Sequence, residues 1–164
     1  MKTVNTNKDF VKTLASLSLS EQRYIGAKFI FSTLDIIDEP HLKNIMNSIN
    51  KNGNSAEELH SAYKIAHSIY IENHPQSGFL EINFTHQAVH MVAEACMTCL
   101  APIYQEATTL HLAQKVAMYC RMAITCWNMP HDQDAPSFSQ VEIEVTKIIQ
   151  AQYTLLNDYL ASMS

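Results

Sequence analysis

Three times along this chain a serine stands three residues ahead of a glutamate, and each time a helical apolar stripe follows. The pairs are Ser18–Glu21, Ser55–Glu58 and Ser139–Glu142. At that spacing the serine hydroxyl accepts from the glutamate's backbone N–H. The glutamate side chain accepts in turn from the serine N–H, so two donors left open at a helix start are satisfied together. Behind Ser18, Ile25, Phe29 and Ile36 share one side, and Ile30, Leu34 and Ile37 widen it. This predicts a helix over 19–37. Glycine is scarce as well, 3 in 164 residues, with 5 prolines. Sandwiches and barrels consume more turn residues than that.

Asp38 reads as the next N-cap, with Pro40 in the first turn. Leu42, Ile45, Met46 and Ile49 carry the apolar spacing to a turn at "NKNGN", 50–54. Leu59, Tyr63, Ala66 and Tyr70 continue from the second box to about Asn73, where "NHPQSG" breaks the pattern. Asn83 caps a helix over 84–100. Pro102 interrupts, and helical spacing resumes over 103–127. After the loop "NMPHDQDAP", the third box opens a stripe of Val141, Val145, Ile148, Ile149, Tyr153, Leu156 and Leu160. The expectation is an all-α, single-domain bundle of about six helices over 1–164, with 1–17 loosely ordered.

Apolar residues make up 47% of the chain and charged residues 16%, enough for a packed core. The net charge is −5, and 11 Lys and Arg are scattered without a cluster. Nucleic-acid binding needs a basic face to displace counterions, so that class is not expected. The opening "MKTVNTNKDF" has no apolar signal core, and no run of 18 or more apolar residues occurs. A cytoplasmic protein off the membrane is expected, with its four cysteines reduced.

"EACMTCL" carries Cys96 and Cys99 in Cys-X-X-Cys spacing. At about 100° per residue, they fall at roughly 280° and 220° from His86, among Ala88, Val92 and Ala95. His86, His90, Glu94 and Met97 fall on the other side. One helix therefore does not gather both sets around a zinc ion. Cys96 also lies far from its helix N-terminus, where the dipole would favour thiolate. The spacing resembles that of alkylhydroperoxidase-type helical proteins, which carry a histidine four residues after the second cysteine. That position here is Ile103. Two buried, reduced, unpaired core cysteines are expected, with a Cys96/Cys99 thiol redox site as the alternative.

His86, His90 and Glu94 form an i, i+4, i+8 ladder, a candidate binding or metal-ligating face. It lacks the HExxH form. Glu57 and His60 match half of a di-iron bundle site, whose second Glu-x-x-His is missing. Arg121, in "MYCRMAITC", sits in an apolar helix. A buried guanidinium there calls for a partner such as Glu94 or Glu106. Tyr104, Tyr119 and Arg121 have the chemistry of interface anchors. No Gly-rich phosphate loop or nucleophile elbow occurs. Neither a catalytic residue nor a cofactor is assigned.

"THQAVHMVAEACMTCL" and "LAQKVAMYCRMAI" resemble the central helices of predicted bacterial immunity proteins of polymorphic-toxin systems, the fifth such family and its relatives. "LSLSEQRYIGAKFI" and "EELHSAYKIAHSIY" are similar to uncharacterised bacterial bundle proteins. The departure is that Cys and Thr stand where the immunity family tends to have Ala. The resemblance implies a non-enzymatic cytoplasmic protein that binds a protein partner. From the residues themselves, three readings stand. They are a protein-binding or self-associating module, a thiol or metal protein, and a small-ligand carrier. A cavity with convergent polar groups would mark the last of these.

Overall fold

The structure, a computed structural model, describes residues 3–74, 83–101, 111–129 and 138–164. Among the described residues it is helical and contains no strand. Seven helices run in order: α1 Asn7–Ala15, α2 Leu19–Leu34, α3 Pro40–Met46, α4 Ala56–Glu72, α5 Phe84–Leu100, α6 Leu112–Trp127 and α7 Phe138–Ser162. The all-α class expected from the capping pattern holds. Among the described residues one helix more than the expected six appears, because residues 7–15, expected to be loosely ordered, fold as α1.

The first two serine boxes cap as expected. Ser18 accepts from the Glu21 N–H, and the Glu21 carboxylate accepts from Ser18 N at 2.7 Å. Ser55 and Glu58 repeat the arrangement on α4. Asn83 caps α5 by accepting from His86 N. Two expectations shift. The N-cap of α3 is Glu39, not Asp38, because Pro40 occupies the first helical position. α7 already includes Phe138 and Ser139, so the Ser139–Glu142 spacing falls inside the helix and Ser139 is not the flanking cap. Pro102, Ile103, Tyr104 and Glu106 lie outside the described residues.

α5 and α6 pack against each other most extensively and form the centre. α2 lies across both, α4 covers another side of α5, and α7 covers α2 and α6. Gly26 marks where α2 comes closest. A Cβ built there would lie 3.5 Å from Cys99 Sγ and 3.5 Å from Val116 Cγ1. Those are ordinary contact distances, so the helices are close without needing a bare backbone.

α1 is held from its own residues upward. Thr6 caps it by accepting from Asp9 N, and Phe10 and Leu14, four apart, are both 1% exposed. The Phe10 ring meets Phe29 and Tyr153 at centroid distances of 5.7 and 5.1 Å. Just before α1, the Val4 N–H donates to Asn157 Oδ1, and Asn157 Nδ2 donates back to the Val4 carbonyl, at 2.8 and 2.9 Å.

Candidate functional site

The cysteines lie in the centre. Cys96, Cys99 and Cys120 are fully buried, Cys126 is half-buried, and all four are free thiols. Burial pushes the Cys96 thiol well above its ordinary value, and neighbouring Cys99 and Cys120 push it the same way. Burial also raises Cys99 and Cys120 to about 12; Arg23 opposes it at Cys99, and a hydrogen bond from Thr33 opposes it at Cys120. A nucleophilic or redox thiol needs the reverse, an electropositive and accessible setting. The Cys99 S–H is spent as a donor to the Arg23 carbonyl at 3.2 Å. The placement of Cys96 and Cys99 on the buried stripe of α5 is thus the one their helical spacing predicts.

Arg23 is a residue that sequence reasoning missed. It is 8% exposed, and its guanidinium donates to the carbonyls of Cys99 and Ala101. Those oxygens belong to the end of α5, where carbonyls lack helical partners. Gln22 works similarly from the same turn, taking the Ala113 N–H and donating to the Leu17 carbonyl. The available signal was polar side chains, Gln22 and Arg23, adjacent to Ile25 in an apolar helix.

The His86, His90 and Glu94 ladder does not act as one face. His86 is exposed, Glu94 is half-buried and His90 is 4% exposed. The helical wheel sets His90 opposite the cysteines; it is nevertheless buried, because α4 covers that side of α5. His90 Nδ1 lies 2.9 Å from the Tyr70 carbonyl, which can only accept, so Nδ1 carries the proton. Its ring stacks on Tyr70 at 4.0 Å and meets His74 edge-on at 5.1 Å. Down α4, Tyr63, His67, Tyr70 and His74 continue a column of rings at 6.1–6.3 Å spacing. Glu57 and His60 are exposed on the same helix. Among the described residues no group of three or more His, Cys, Asp or Glu is placed to hold a metal ion.

Of the two partners expected for Arg121, Glu106 lies outside the described residues and Glu94 is not the one found. Arg121 meets two neutral amides instead: Nε donates to Gln152 Oε1 at 2.7 Å and Nη1 to Asn7 Oδ1 at 3.3 Å. Its guanidinium carbon lies 5.2 Å from the Phe10 ring centroid, a cation–π contact. Among the described residues Nη2 is buried without an acceptor, and burial lowers the Arg121 pKa from its ordinary value. Gln152, fully buried, uses its Nε2 on the Ala117 carbonyl. Arg121 is therefore a tie between α6, α7 and α1. Tyr119 is half-buried on α6 and packs against the core, beside the exposed Met118 and Met122.

Comparison of the chain with known protein families, with curated proteins and with solved structures finds no match in any of the three. Among the described residues, no helix is long and apolar enough to cross a membrane.

Proposed function

We propose that this chain is a non-enzymatic helical module that works by binding protein, in the manner of an immunity protein, and that it self-associates through α6. The observation that supports this is the outer face of α6. Met118 and Met122, one turn apart, are 46% and 41% exposed, with half-buried Tyr119 to one side of them on the helix. Flexible methionines and an aromatic ring are the side chains that adapt to a protein surface. Several of the groups that rival chemistry would need are engaged in the fold. The three innermost thiols are buried, and His90 is hydrogen-bonded across helices. The net charge of −5 and pI of about 5.9 favour a protein over a nucleic acid as the partner. The proposal sets the chain in the cytoplasm, where its free thiols would stay reduced.

Size-exclusion chromatography with light scattering tests it. The expected result is a mass that rises with protein concentration. M118E/M122E should return the chain to a monomer while leaving its helical signal and melting temperature unchanged. A strict monomer at every concentration counts against self-association. Stoichiometric metal in the purified protein, or a thiol ionising well below about 8, would return the redox or metal reading.

A further inference from the structure

We propose that the hollow between α2 and α7 binds a small molecule carrying an anionic group on a flat apolar body. The hollow measures about 240 Å³ and opens to solvent beside the Tyr24 and Tyr159 rings. Those rings stand 5.8 Å apart and are tilted by 45°, so together they form an angled aromatic wall. Ile25 and Leu155 supply apolar lining. A second hollow of about 440 Å³ shares Lys28 and Leu155 with the first and continues to Phe31. A ligand body longer than one ring has room along this furrow.

The charge at the hollow decides the ligand class. Lys28 Nζ lies 5.2 Å from the Tyr24 centroid, and Lys51 Nζ 5.5 Å from that of Tyr159. Each ammonium is thus seated over a ring of the wall, and neither has an ion pair among the described residues. Of the nearby acids, Glu21 lies outside the lining of the hollow. It accepts from Ser18 N and from the Tyr159 hydroxyl, at 2.7 and 3.3 Å. Its carboxyl is held below its ordinary value by the Ser18 bonds first, and Lys51 adds to this, so Lys28 is the cation less engaged with the fold. Asp158 remains exposed on the rim as the one acid lining this hollow among the described residues, and Asp35, which lines the continuing one, is paired with Lys43 at 3.2 Å. Within the lining of the first hollow two cations face one carboxylate, which favours an anion there.

The frame around these groups is built in advance of any ligand. Lys51 rides on the turn between α3 and α4. Asn54 ties that turn together, accepting from Asn50 N at 2.8 Å and donating to the Ser48 carbonyl at 2.6 Å and to Glu58 at 3.1 Å. Gly53 completes it at φ 100°, a backbone state that favours glycine. The Tyr159 hydroxyl is fixed by Glu21, so that ring cannot swing away without breaking a charge-assisted bond. Positioned polar groups on an apolar hollow are the ordinary features of a small-molecule site. None of these residues belongs to the α6 face, so either proposal can fail without the other.

The test uses the full chain, labelled for NMR and titrated with phenyl phosphate, benzoate, phenol and benzylammonium. Phenyl phosphate and benzoate should shift the amides around Tyr24, Lys28, Lys51, Leu155 and Asp158 in a saturable way, and their ratio shows which anion fits better. Phenol, with the ring and no charge, should bind about tenfold more weakly, the usual worth of a hydrogen bond to a charged group. K28M and K51M should each weaken the anions about tenfold and leave phenol unchanged. Both lysines are exposed, so the variants should keep the parent melting temperature. D158N should bind the anions no worse than the parent. Four results would overturn the proposal: no saturable shift with either anion, shifts centred elsewhere, affinity unaltered by both lysine changes, or benzylammonium bound more tightly than the anions. Binding of an acidic aromatic peptide without binding of any small probe would overturn it too, making the furrow a protein-docking surface.

Discussion

At the scale of single residues, the thiols give the clearest expectation. Cys96, Cys99 and Cys120 should resist a water-soluble thiol reagent in the native protein and react only on unfolding. Half-buried Cys126 should react first. Their folded-state pKa values are raised, so burying them as neutral thiols stabilises the chain. That contribution is fully present below the ordinary thiol value of 9.0 and is lost as pH rises towards about 12. Unfolding midpoints measured across that alkaline range should fall, and a flat profile would contradict the burial. Gly26 supplies a second expectation. A methyl there meets Cys99 and Val116 at ordinary contact distance. Gly26→Ala should therefore raise stability by about 0.5–1 kcal/mol, the difference in helix propensity, read by denaturant titration. Residue roles were only partly legible in the sequence. Helical spacing placed Cys96 and Cys99 on the buried side of α5, because that depends on local geometry alone. The partner of Arg121 was not legible: Asn7 is 114 positions away, and electrostatic reasoning asked for a carboxylate where two amides stand. Lys51 and Tyr159 carry no mark of their meeting either, since three separate elements bring them together.

At the scale of elements, starts were easier to read than stops. Ser18 and Ser55 fix the beginnings of α2 and α4 through bonds made within four residues. The end of α2 falls at Leu34 and not at residue 37. Ile37 is fully buried from a turn in which both it and Ile36 donate to the Thr33 carbonyl, so its apolar character mimicked more helix. α1 escaped notice because it contributes only Phe10 and Leu14 to the core over nine residues. The Thr6-x-x-Asp9 spacing before them was the available signal. Phe10→Ala measures what α1 is worth. A buried phenylalanine reduced to alanine costs about 3–5 kcal/mol. A loss of that size in equilibrium unfolding is expected, whereas less than about 1 kcal/mol would mean that α1 adds little to the fold.

At the scale of the whole molecule, helices far apart in sequence are closed upon one another by side chains that reach across. Arg23 ends α5 from the second turn of α2, 76 and 78 positions away. Gln152 joins α7 to α6, and Tyr159 joins α7 to the first turn of α2. The longest of these closures is Val4 with Asn157, separated by 153 positions and paired through both backbone groups of Val4. In effect the backbone path is nearly a ring. Its covalent order is then open to rearrangement: a short Gly/Ser bridge from residue 164 to residue 3, with new ends cut between α2 and α3, should give a chain with the parent's circular dichroism and cooperative melting. The same cut made in the 50–54 turn should also fold, but it would release Lys51 from its seat. Two permutants of one fold would then differ in how the α2–α7 hollow treats an anion.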